Sequence, residues 1–215
     1  MPKDALLYER LQAVGLAGRT FTVPEGLPDR DTLCLAHDPT YVDAFLDGSI
    51  GAAEMRRIGL PWSQPLVRRT LAGVGSAVLA ARLALQFGLA CMTNGGRTTL
   101  TPRTALRDAG VEQVLFVDLD VHQGDGTDAI FSGDPSVFTL SLHCAAQPFP
   151  HHPVAGDWDV ALPAGTTDEQ YMQALREVLP PLLARLRPGL VCYNAGVDVH
   201  ADDALGLMAL TDAVA

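Results

Sequence analysis

The sequence has no Cys-x-x-Cys pair, no internal repeat, no low-complexity tract and no interdomain linker. Its four cysteines, Cys34, Cys91, Cys144 and Cys192, stand singly, which argues against a disulfide framework or a thiolate metal site and for a reducing compartment. The N-terminus, MPKDALLYERL, carries no apolar core of a secretory signal, and no apolar run reads as long enough to span a bilayer. A cytoplasmic protein with no membrane contact is therefore expected. Positive charge is scarce as well: 15 Lys and Arg against 25 Asp and Glu leave a net charge of −10, with a pI near 4.8. That balance disfavours nucleic acid as a direct partner and favours cationic ones.

What is present is apolar material: 48% of the 215 residues are hydrophobic, enough to bury one sizeable core, so a single domain over residues 1–215 is expected. Leu6, Leu7, Leu11 and Val14 have the spacing of an amphipathic helix over 5–14. Asp38 followed by Pro39 predicts a helix start, with Gly48 as its end. Ser63 predicts the N-cap of a long helix that closes at Gly88, its small residues Gly73, Gly75, Ala77, Ala80 and Ala81 suiting burial and Arg68, Arg69 and Arg82 opposing a membrane span. Residues 92–107 are polar and lack a period, which predicts a loop leading into a short helix.

The informative stretch is VLFVDLDVHQGDGT, residues 114–127. Val114 to Val117 form a short apolar run typical of a buried parallel strand, and acidic and imidazole groups follow at once. Residues two apart on an extended chain share a face, so Asp120 and His122 can converge on one point, and the turn at Gly124 and Gly126 can return Asp125 toward it. For a lone Asp-x-His, turn carboxylates and a hydrogen-bonded sheet-edge histidine would suffice as an account. A second apolar run, Leu190 to Tyr193, followed by Asn194-Ala195-Gly196-Val197-Asp198, supplies a third ligand at an equivalent strand end. Asp120, His122 and Asp198 together offer a dication one nitrogen and two carboxylates while leaving positions open, as a catalytic zinc site requires. Ligands of open α/β sheets bind beyond the carboxyl ends of the strands, where these residues fall.

Further along, Gly133-Asp134-Pro135 launches a second strand over 137–142, after a short helix near 128–131. Thr167 and Gln170 form a capping-box pattern before a helix marked by Tyr171, Leu175, Val178, Leu182 and Leu186, which Pro180 and Pro181 should kink or split. The alternation predicts an α/β fold: a three-layer α/β/α arrangement with a mainly parallel, doubly wound sheet.

Three segments, DLDVHQGDGT, Ser141-Leu142-His143 and NAGVDVHADDALG over 194–206, resemble the zinc-dependent histone deacetylase family, whose superfamily includes acetylpolyamine amidohydrolases and shares its sheet with arginases. The resemblance implies that Asp120, His122 and Asp198 hold zinc, that Asp118 and Ser141 help hold a monovalent cation (K+), and that Asp118 and Asp125 orient the catalytic histidines of the family. It also implies that Phe149 walls the acyl-lysine tunnel and that Leu205 lies at its rim. The implied substrates are an acetylated lysine peptide or an acetylated polyamine-like molecule, hydrolysed at the acetyl amide.

The resemblance also exposes deficits. Where the family has a Gly-Gly-Thr-His-His-Ala-like segment, this chain reads Asn94-Gly95-Gly96-Arg97-Thr98-Thr99-Leu100, without either histidine. The family's tyrosine loop would fall beyond Ala215 and Met1 would align inside its first helix, so the domain is expected to be incomplete at both ends. No residue is therefore assigned as catalytic, and activity is expected to be weak or absent. The alternatives are a non-catalytic metal- or acyl-lysine-binding protein, or a non-functional gene fragment. His151 and His152 follow the metal strand instead of preceding it and read as surface histidines, while His143 reads as packed. Arginase-like hydrolysis would need a second set of metal ligands, which Val199-His200-Ala201-Asp202 does not supply.

Overall fold

The computed structural model describes residues 3–16, 22–92 and 109–214. Chain contacts divide it into two compact units, Met1–Ala105 and Leu106–Ala215. The expected loop at 92–107, including the segment where the histidine pair would stand, lies outside the described residues apart from Met92.

The first unit is helical: α1 (Lys3–Ala13), α2 (Arg30–Leu33), α3 (Pro39–Asp47), α4 (Ala52–Ile58) and α5 (Gln64–Phe87). The caps act as their chemistry dictates. Asp38 accepts from the backbone N–H groups of Thr40 and Tyr41, satisfying donors that the first turn of α3 cannot pair internally, and Ser63 accepts from Leu66 N–H at the start of α5. Gly48 ends α3 at φ 86°, and a Cβ there would stand 2.8 Å from the Trp62 ring, whose indole N–H donates to the Phe45 carbonyl at 2.8 Å. A small apolar cluster around Leu33 and Val42 holds α2 and α3 together, and Arg30 grips Asp43 through two hydrogen bonds of 2.5 and 2.8 Å.

Two expectations for α5 are corrected. Of its residues, Val67, Ala77, Val78 and Ala81, which share one side of the helix, are buried, and the rest are partly or fully exposed. By length and composition alone it could also cross a bilayer, contrary to the reading that no apolar run was long enough; two of its three arginines sit near its start and leave a long stretch with few charges.

The second unit carries the sheet. Its elements are β1 (Val114–Asp118), α6 (Asp125–Phe131), β2 (Val137–Cys144), β3 (Trp158–Leu162), α7 (Asp168–Leu186) and β4 (Leu190–Asn194). The strand order is β3-β2-β1-β4, and every pairing is parallel, as the α/β reading requires. Val114 pairs with Val137 on one side and Leu190 on the other, so β1 is central and buried throughout. Leu115 and Val117 on one face join Leu140 and Leu142 of β2 and Tyr171, Val178 and Leu182 of α7 in one core.

Pro180 and Pro181 do not split α7, which runs unbroken for 19 residues from its Thr167–Gln170 capping box. Core contacts from Tyr171 before the prolines and Leu182 after them bind both parts to the same sheet, and such packing outweighs the missing hydrogen bonds. Strand β3 was not foreseen; its alternation of Trp158, Val160 and Leu162 with Asp159 and Ala161 matches its half-buried pattern, but five residues make a weak signal.

The order places a switch point beside β1. The chain steps outward from β1 to β2 and β3, then returns through α7 to the opposite side of β1 at β4. The crevice beyond the carboxyl ends of β1 and β4 is where an open parallel sheet accepts a ligand.

Candidate metal centre

Asp120 and His122 lie just past the end of β1, and Asp198 lies in the short 3-10 turn Val197–Val199 past the end of β4. His122 Nδ1 stands 2.9 Å from Asp120 Oδ1 and 3.2 Å from Asp198 Oδ2. One imidazole nitrogen facing two carboxylate oxygens can donate a proton well to one of them, whereas a cation would satisfy all three atoms together. Ligand atoms around a tetrahedral zinc, each about 2.0–2.2 Å from the ion, lie about 3.3–3.6 Å apart, so the 2.9 and 3.2 Å separations here need widen by only a few tenths of an ångström. Among the described residues this is the one group of three or more such side chains whose ligand atoms lie within 4.8 Å of one another. The residues fit a divalent metal.

The backbone builds this arrangement. Asp120 Oδ1 accepts from His122 N–H at 2.8 Å, and Asp198 Oδ1 accepts from Val121 N–H at 3.1 Å, so each carboxylate is oriented by the segment it serves. Asp118, buried beneath, accepts from Asp120 N–H at 3.1 Å and from the Asn194 amide at 2.8 Å, tying the β1 end to the β4 end. Burial pushes the Asp118 carboxyl up to about 6 against those hydrogen bonds, with Asp120 and Asp198 adding repulsion. The Asp198 carboxyl is likewise raised, first by burial and then by Asp120, while His122 opposes the shift. Gly196 is required by close approach: a Cβ there would meet Asp120 Cα at 2.6 Å and the Asp120 carboxylate at 2.8 Å.

The other residues singled out from the sequence are distributed as follows. Asp125 opens α6 with its Oδ1 buried. Ser141 pairs in register with Asp118 across the sheet, and its hydroxyl lies 3.0 Å from His143 Nδ1, both side chains being buried. Phe149 meets the His122 ring edge to face at 6.0 Å between centroids. Leu205, 75% exposed, lies on the segment after Asp198, and its carbonyl accepts from the Gln147 amide at 3.2 Å. His151 and His152 are exposed, with the His151 ring set edgewise on Phe149.

Three contributors were not picked out from the sequence: Asn194, Gln123 and Asp128. Asn194 is the register partner of Asp118, so its position at the β4 end was a readable signal. Gln123 follows His122 directly and is buried, with its amide donating to the Val154 carbonyl at 2.6 Å. Asp128 sits buried in α6, its carboxyl pushed up to about 7 by burial and by Asp159, Asp118 and Asp157, against a Thr139 hydrogen bond; nothing in the local sequence marks it.

Comparison with known proteins shows what the chain as a whole resembles. The histone deacetylase domain model matches residues 91–214. An uncharacterized protein of Picosynechococcus sp. is 43% identical, the alignment covering 99% of this chain and 76% of that protein. Histone deacetylase 2 of Arabidopsis thaliana is 30% identical over 64% of this chain, which spans only 40% of that relative's length. The crystal structure of the HDA15 HD domain superposes with a TM-score of 0.80 at 21% identity, covering 98% of this chain and 71% of that one.

Proposed function

The chain belongs to the histone deacetylase family, and on that premise we propose that Asp120, His122 and Asp198 bind zinc and that the site receives an acetylated lysine or a related acetyl amide. The observation that carries the reading is the convergence of His122 Nδ1 on two carboxylate oxygens, at 2.9 and 3.2 Å, at the switch point of the sheet. Bound there, zinc would polarise the acetyl carbonyl and acidify water.

The chain's own residues do the rest. Asp120 and Asp198 balance the charge of the dication, and His122 completes the set through Nδ1. Asp118 and Asn194 hold the two strand ends in register beneath them. Phe149, set against His122, supplies an apolar wall along which an acyl chain can lie. We propose that hydrolysis is weak, because residues 93–100 contain no histidine to serve as general base. Loss of such a base costs roughly 10²- to 10⁴-fold in rate. The same absence favours a second reading, in which the site binds an acyl-lysine without turning it over.

Thermal unfolding with and without zinc tests the metal assignment, since a ligand of the native state at 100 times its Kd adds about 2.7 kcal/mol of stability. The expected result is a zinc-dependent rise in Tm that Asp120→Ala abolishes; no rise in the unsubstituted protein overturns the assignment. A fluorogenic acetyl-lysine substrate then separates slow hydrolysis, lost in Asp120→Ala, from binding alone.

A further inference from the structure

We propose that Gln123 is a positioning residue: with Gln147 it straps the 147–154 loop across the metal centre and so sets Phe149 against His122. The loop, Gln147-Pro148-Phe149-Pro150-His151-His152-Pro153-Val154, contains three prolines, which donate no backbone N–H and limit the hydrogen bonds it can make for itself. Phe149 is 40% exposed, so burial alone does little to fix its ring. Side-chain hydrogen bonds tie the loop at both ends to the segments that carry the site. Gln123 donates from Nε2 to the Val154 carbonyl at 2.6 Å and to both Asp159 carboxylate oxygens at 3.3 Å, while Asp159 accepts from Gly156 N–H at 2.9 Å. At the other end, Gln147 Nε2 donates to the Leu205 carbonyl at 3.2 Å.

The surroundings of Gln123 show what its amide does. Three acceptors face the nitrogen, which fixes which end of the amide points there. Its Oε1 is buried without a hydrogen-bond partner, an unfavourable arrangement that a leucine of similar volume would avoid. The residue is therefore explained by its N–H groups and not by filling space. Because it follows His122 directly, one backbone segment carries both the metal ligand and the donor that holds the wall beside it.

The bearing of this strap on an acyl substrate rests on the deacetylase reading above; the measurement does not, because it is made on the metal-free chain. In histidine-labelled protein, the His122 ring protons report the edge-on Phe149 ring. Gln123→Leu is expected to shift them toward the values in Phe149→Ala and to move them no further in the double variant, leaving His37 and the overall Tm in place. Backbone order parameters at His151, His152 and Val154 should fall from about 0.8 to below about 0.6. A folded Gln123→Leu protein with unchanged His122 signals and an ordered loop overturns the proposal. Should that variant fail to fold, Gln147→Ala, whose hydrogen bond is on the exposed side, is read by the same signals: displaced His122 resonances support the strap, and unchanged ones refute it.

Discussion

Strand β1 is buried at every residue, whereas β4 beside it buries Leu190 and leaves Val191 and Tyr193 44% and 63% exposed. Both deliver candidate metal ligands to one cluster. Asp120 and His122 follow a strand paired on both sides, so their placement is inherited from the centre of the sheet. Asp198 follows a strand paired, among the described residues, on one side only, and is held by local means: Val121 N–H, the bare Gly196, and Gly206, where any Cβ would collide with the Asp198 carbonyl. The site is thus anchored from β1 and completed from β4. Disturbing the first should cost the fold, while disturbing the exposed surface of the second should cost almost nothing.

Truncating a β1 core side chain gives the largest expected effect. Leu115 is fully buried against α7 and β2, and Leu115→Ala should destabilise the protein by about 2–5 kcal/mol through lost burial and the cavity left behind. Urea unfolding measures this directly; a cost below about 1 kcal/mol would mean that β1 is not the anchor.

Electrostatics divide the two sides as well. On the β1 side, Asp128 is buried in α6 with its carboxyl up at about 7; on the β4 side, the half-buried Asp203 lies below its usual range because Leu205 and Gly206 N–H groups donate to it. The signs are opposite. Between about pH 4 and pH 7 folded Asp128 holds a proton that the unfolded chain releases, so its contribution is full below that window and is lost as pH rises through it. Asp203 contributes above its unfolded pKa and loses that contribution as the pH falls through its lower folded value. Asp128→Asn, which keeps the shape without the charge, should therefore stabilise the protein at pH 8 by an amount on the order of 2 kcal/mol and change little at pH 4. Equal effects at the two pH values would show that Asp128 is not held in its protonated form by the fold.

The same contrast explains what could be read from the sequence. β1, β2 and β4 were visible as apolar runs, and the Asp38, Ser63 and Thr167–Gln170 caps were visible because capping depends on residue type at fixed local spacing. The ligand cluster was legible for a related reason: two strand ends in one parallel sheet must open on the same crevice, and each carried acidic groups. β3 was missed because its five residues alternate within a proline-rich neighbourhood. The continuity of α7 through Pro180 and Pro181 depends on packing against strands distant in sequence. Gln123 and Asp128 escaped notice because their partners, Val154 with Asp159 and Thr139 with Asp159, lie across loops and strands whose proximity no local pattern reveals.

The smallest expected effect lies on the outer strand. Val191 projects from β4 with 44% exposure, and Val191→Thr keeps the β-branch that suits an extended backbone while replacing one methyl with a hydroxyl that solvent can satisfy. Surface changes of this kind usually stay within about 0.5 kcal/mol. Asp198 is placed by backbone and glycine contacts beyond the strand, so on the proposed assignment zinc affinity should also remain within about twofold, too small a change to register as loss of a positioning contact. Urea unfolding and competition with a zinc chelator read the two quantities separately. A loss above about 1 kcal/mol would show that Val191 packs against something in solution, and β4 would then be an interior strand with the same standing as β1.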